Sequence, residues 1–113
     1  MTLREIVEKL DLQVHAGAGR MEVTVARGYM SDMLSDVIGN APIGGLWITM
    51  QKHKNVVAVA VMKSLAAIVL VQGRVPEEDT LRAAEEEEVV ILGTTMSAFA
   101  LAARLHDLGI AGD

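Results

Sequence analysis

Three short polar clusters in this 113-residue chain carry residue types able to hold an anion. Gln51, Lys52, His53 and Asn55 follow the apolar run that opens at Leu46. Gln72, Gly73 and Arg74 follow the run ending at Val71, and Gly93, Thr94 and Thr95 follow the run ending at Leu92. Lys52 and Arg74 supply positive charge, the threonines supply hydroxyl donors, and helices starting nearby supply free amides; together these suit a phosphate or a carboxylate. A plainer assignment gives the same residues to architecture, with Thr94 or Thr95 capping one helix, His53 or Asn55 capping another, and Gly73 turning the chain. The residue types fit both.

Other chemistries find less support. The chain has no cysteine, which removes thiol nucleophiles, disulfides and thiolate metal sites. No GxxxxGK[ST] loop is present, and GAGRME at Gly17 to Glu22 starts like GxGxxG but has Glu22 in place of the third glycine, so phosphoryl transfer by this chain alone is not expected. His15, His53 and His106 stand far apart and form no HExxH or HxH pair. Asp32 and Asp36 lie four residues apart, which a helix cap and a solvated helix residue explain most simply. None of Ser31, Ser35, Ser64 and Ser97 lies in a GxSxG elbow. Neither a catalytic set, a metal site nor a cofactor is expected.

Charge and hydropathy restrict the partners. A formal charge of −5 disfavours nucleic acid, which demands a clustered excess of Lys and Arg. The start MTLREIVEKL places Glu5 and Glu8 within its apolar pattern and does not read as a secretion signal. Lys63 and Ser64 interrupt the apolar stretch Val56 to Val71, which falls short of the ~18 residues of a spanning helix. A cytoplasmic protein with no membrane partner is the expectation. With 51% hydrophobic residues but one each of Phe, Tyr and Trp, the core must be aliphatic, and residues 1–113 are expected to form one domain.

The elements that must position the clusters follow from periodicity. Thr2 and Glu5 form a capping-box pattern ahead of a helix over Leu3 to Leu10. Leu12 to His15 and Met21 to Arg27 read as extended, joined by HAGAGR as a hairpin or as neighbouring strands, with Val23 and Val25 giving the second an edge character. Ser31 or Asp32 is expected to cap a short helix whose Met33, Leu34, Val37 and Ile38 face inward. Three strand-then-helix units then start near Leu46, Ala67 and Val89. Pro76 is placed in the first turn of a surface helix over Glu77 to Glu88, and Phe99, Ala102, Ala103 and Leu105 on the inner face of a helix over Met96 to Leu108. Such units imply a single three-layer α/β/α domain with a mostly parallel sheet, and ligands bind such sheets beyond the carboxyl ends of their strands.

Taken together, MTLREIVEKLDLQV, GYMSDMLSDVI, LWITMQKHKNVVAVA, AAIVLVQGRVPEEDTLRAAEEE and VVILGTTMSAFALAARL resemble the DRTGG domain family, in particular its small stand-alone members, over nearly the whole chain. The resemblance implies a fold like the N-terminal domain of HPr kinase/phosphorylase. It also implies a regulatory or dimerising module of the kind found in long-form phosphotransacetylases and beside CBS domains in some pyrophosphatases. The family's GDR signature is replaced here by Gln51, Lys52 and His53. By position the resemblance carries over Thr49 at the strand end, His53 in the arginine-bearing slot, and Gly73 after the next strand. It carries no kinase activity, which belongs to a separate phosphate-loop domain.

The sequence therefore leads to a non-enzymatic regulatory or sensory module, homodimeric, binding a small anionic metabolite or nucleotide through Thr49, Gln51, His53, Asn55, Gly73, Arg74, Thr94 and Thr95. The alternative is a structural subunit that meets a partner protein and has no small-molecule ligand.

Overall fold

The computed structural model of the chain describes residues 1–112. Its elements are α1 (Leu3–Leu10), β1 (Gln13–Ala16), a 3-10 turn (Ala18–Arg20), β2 (Gly28–Met30), α2 (Leu34–Asn40), β3 (Leu46–Thr49), α3 (Asn55–Met62), β4 (Ala67–Leu70), α4 (Glu78–Glu87), β5 (Ile91–Gly93) and α5 (Ala98–Asp107). The strands form one sheet in the order β1-β5-β4-β3-β2, with β1 antiparallel to β5 and every other pair parallel.

The order explains the layers. From β2 to β5 each crossover advances one strand in the same direction, so constant handedness must put its helix on the same face every time. Val37 of α2, Val56, Val57 and Val59 of α3, and Ala84 of α4 accordingly share one core with Trp47, Ile68 and Ile91. The other face is left to the terminal helices: Leu3, Ile6 and Leu10 of α1 and Leu101 and Leu105 of α5 pack on Leu46, Ile48, Val69 and Leu92. The chain is thus a three-layer α/β/α domain, and the central strands β3 and β4 are buried at every position, as strands covered on both faces must be.

Several local expectations hold. Thr2 caps α1 in a capping box with Glu5, and α1 runs from Leu3 to Leu10. The N-terminal half departs from the pattern at the second extended segment. Residues Met21 to Arg27 do not join the sheet: Val23 accepts from Leu3 N–H, Val25 donates to the Met1 carbonyl, and Thr24 bridges Thr2. Alternation at Val23 and Val25 reported one buried side, and that side packs among the α1 residues. No hairpin forms either, because β1 and β2 occupy opposite edges of the sheet. Gly17 turns the chain out of β1 with φ +83°, and a Cβ there would come within 2.7 Å of the Val90 backbone.

Three helix expectations change. Neither Ser31 nor Asp32 caps α2; Met33 holds the cap position without a side-chain bond, only Val37 is buried, and Met33 and Ile38 face solvent. Pro76 precedes α4, whose cap is Glu77. Ser97, accepting from Ala100 N–H at 3.2 Å, caps α5 in place of Thr94 or Thr95. Leu101 and Leu105 form its inner face, and Phe99 points outward at 84% exposure.

Candidate functional site

The loops after β3, β4 and β5 lie at one end of the sheet, but they are put to different uses. At the β3 end Thr49 is 2% exposed and its hydroxyl donates to Asp32 Oδ1 at 2.7 Å. The same carboxylate oxygen accepts from Met50 N–H at 2.7 Å, and Gln51 returns two bonds, from its amide N–H to Thr49 Oγ1 and from Nε2 to the Asp32 carbonyl. Asp32, which sequence suggested as a cap, therefore fastens the β2–α2 loop to the end of β3. Nearby, the His53 Nδ1 lies 3.0 Å from Glu77 Oε1, while the Lys52 carbonyl accepts from Glu77 N–H and Thr80 Oγ1. Asn55 opens α3 and lines a hollow between α3 and α4. Asp36 is held below the usual carboxylate range by hydrogen bonds from Ser31, Tyr29 and Asn40, a local network on α2.

The β4/β5 end is built differently. Val71 to Arg74 form a tight turn in which Gln72 (φ +59°) and Gly73 (φ +70°) are both left-handed and Arg74 N–H donates to the Val71 carbonyl. Positive φ at both central positions is the type I′ pattern, for which Gly at the second is well suited. Gln72 N–H donates to Met96 O and Gly73 N–H to Thr94 O, both at 2.8 Å, which pins the turn to the β5 loop. From here the chain diverges: β4 continues to α4 on one face and β5 to α5 on the other, making this the switch point of the sheet.

Beside the switch point is a cavity of about 590 Å³. Gly73, Arg74, Thr94 and Thr95, four of the eight residues that sequence singled out, line it together with Arg104 from α5, Asp11 from the α1–β1 connection and Gln13 at the start of β1. Among the described residues the carboxylates within 4 Å of a basic side chain are Glu22, beside Arg4, and Glu77, beside His53, so neither Arg74 nor Arg104 has a carboxylate partner. The two guanidiniums outweigh Asp11 and leave the hollow positive on a chain of net charge −5. The turn amides are spent within the fold, so the polar groups open to the hollow are side chains, among them two arginine forks and the Thr95 hydroxyl. Thr94 already accepts from Met96 N–H.

Sequence reasoning missed Arg104 because it lies at the far end of α5, where its reach back toward the strand ends depends on the packing of α5 against β5. A larger hollow, about 760 Å³, wraps the β2 edge and includes Arg27 and His106 among mainly apolar walls; none of the three polar strand-end clusters reaches it. Among the described residues there is no cluster of three or more His, Asp or Glu able to hold a metal, and no helix is long and apolar enough to cross a membrane.

No protein-family model matches the chain, and no curated protein matches it significantly. A similar solved structure is that of the CBS and DRTGG domains of the regulatory region of a Clostridium perfringens pyrophosphatase, complexed with its activator, diadenosine tetraphosphate. The likeness has a TM-score of 0.72 at 12% identity and covers 90% of this chain and 44% of that one. At that identity it shows a shared fold, and the chain spans less than half the length of the protein it matches.

Proposed function

We propose that this chain is a DRTGG-like regulatory module, a single non-catalytic cytoplasmic domain over residues 1–113 that dimerises and binds a small anionic metabolite or nucleotide at the β4/β5 switch point. The observation that carries the reading is the pair Arg74 and Arg104, both without a carboxylate partner among the described residues, lining one cavity with Thr94 and Thr95. A forked guanidinium pairs with phosphate or carboxylate through two parallel hydrogen bonds, and two of them suit a ligand with more than one anionic group. Asp11 and Gln13 in the same lining supply acceptors for hydroxyl or amino groups of the same ligand. The nucleotide activator of the structurally similar pyrophosphatase region adds support for this ligand class.

Thermal shift against nucleotides and phosphorylated metabolites tests the reading. A ligand that raises the melting temperature of wild type, and does so much less for Arg74→Ala and Arg104→Ala, is the expected result. Shifts of equal size in all three proteins would move the ligand elsewhere, and no shift with any anion would favour the second reading, a structural subunit that meets a partner protein. The outward Phe99 favours that alternative, since a large aromatic left in water is a natural interface anchor.

A further inference from the structure

From Val56 to Met62, α3 has no polar residue: its sequence after Asn55 is VVAVAVM. Val56, Val57, Val59 and Ala60 face the sheet core, which leaves Ala58, Val61 and Met62 outside, Val61 at 47% and Met62 at 62% exposure. A helix apolar all round is one whose outer face is also covered. The outer face borders a shallow groove of about 520 Å³ between α3 and α4, with Ala83 as its other wall, Lys54 at the start of α3 and Glu87 at the end of α4.

What covers the groove is written in its charges. Both helices connect parallel strands, so α3 and α4 run the same way, and Lys54 and Glu87 stand at opposite ends of one apolar strip. A two-fold axis perpendicular to the strip turns a second copy end for end and sets Lys54 of each copy over Glu87 of the other. The same rotation brings the positive N-terminal end of α3 over the negative C-terminal end of α4, which adds to the attraction. Ala58 and Ala83, small residues in the middle of the strip, let the helices approach closely. A surface with both signs of charge at matched ends is complementary to itself, as a two-fold interface requires.

We infer that the α3/α4 groove is the seam of a homodimer formed by a second copy of this chain. The inference rests on the dimeric part of the proposed function and gives it a location that shares no lining residue with the hollow of Arg74 and Arg104.

Light scattering on size-exclusion eluates of the full chain over a dilution series tests it, with circular dichroism to confirm folding. Wild type is expected at twice the 12.1 kDa of one chain. Met62→Glu and Ala58→Glu, which put a carboxylate at solvent-facing positions of the monomer, are expected to stay folded and weaken dimerisation on the order of a hundredfold by burying an unpaired charge. Lys54→Glu or Glu87→Lys alone should weaken it by several-fold, and the double exchange should restore it. A dimer indifferent to Met62→Glu and Ala58→Glu would overturn the seam while keeping the dimer, and a charge exchange that fails to restore would overturn the two-fold arrangement. A wild-type monomer at every concentration would overturn both. Loss of the anion-induced thermal shift in Arg74→Ala would still stand in each case, so failure of the seam and failure of the ligand site are read separately.

Discussion

The loops after β3 and after β4 and β5 leave the same end of one sheet with comparable polar residues, yet one is a closed joint and the other an open hollow. At β3, Thr49, Gln51 and Asp32 direct their hydrogen bonds at one another. At β4/β5 the backbone bonds to itself, Gln72 to Met96 and Gly73 to Thr94, and the side chains of Arg74 and Arg104 meet no protein carboxylate among the described residues. Polar residues beyond strand ends thus become distinguishable only when the destination of each donor and acceptor is known. A hydroxyl that is buried and paired holds the fold together; a guanidinium that is exposed and unpaired is free to hold a ligand.

The largest effect is expected where the joint is cut. Asp32→Ala leaves the buried Thr49 hydroxyl and the Met50 N–H without their acceptor, a loss of about 2 kcal/mol or more. The melting temperature should fall by on the order of 10 °C for a domain of this size, with the thermal shift from a bound anion unchanged. A small stability loss accompanied by loss of the ligand shift would reverse the assignment of the two regions.

Next in size come the arginines. Arg74→Ala and Arg104→Ala should each reduce anion affinity by roughly tenfold to a hundredfold, the range of a lost charged hydrogen bond, while leaving the unliganded melting temperature near that of wild type. Titration calorimetry with the ligand identified by thermal shift reads both singles and the double. If the two arginines grip one ligand, the double variant should depart from the sum of the singles.

Smaller still is His53→Gln. The imidazole and Glu77 are both well exposed, and surface pairs of this kind contribute about 0–1 kcal/mol. A ligand role for His53 would reveal itself as an affinity loss comparable to that of Arg74→Ala. An effect confined to stability, measured by urea denaturation, would assign His53 to the joint between the β3 and β4 loops.

Much of the fold, though not this contrast, was legible in the chain before its structure. The layers, the three strand-helix units and the cluster Gly73, Arg74, Thr94 and Thr95 follow from apolar runs bounded by polar loops, because a parallel strand buried on both faces leaves that signature. The placement of Met21 to Arg27 did not follow, since alternation records burial on one side and is silent on the partner, which here is the N-terminal segment. Phe99 misled because its size suggests the core, whereas the inner stripe of α5 was already filled by Leu101 and Leu105. The tie from Asp32 to the end of β3 and the part of Arg104 in the hollow share a reason for being unreadable in sequence: each spans a separation that only the packing of loops and helices closes.

The smallest predicted effect probes a residue beside β5 that belongs to neither region's polar network. His15 on β1 packs against Gly93, where any Cβ would collide with the imidazole. Burial among these groups penalises the charged ring and holds the His15 pKa below its ordinary value of 6.5. Between the folded and unfolded values the unfolded chain binds the proton more readily, so stability there rises with pH. The contribution is complete above about pH 6.5 and is lost as pH falls from that value toward the folded pKa. In His15→Gln the stability difference from wild type should therefore change across this window and level off above it, as read from urea midpoints taken at steps of pH. A difference flat across the window would mean that the imidazole titrates alike in the folded and unfolded chains. If the difference instead ran the other way, with wild type gaining stability as the pH falls, a carboxylate would have to reach the ring. Glu85 and Glu88, which line the same hollow, are the groups to substitute next.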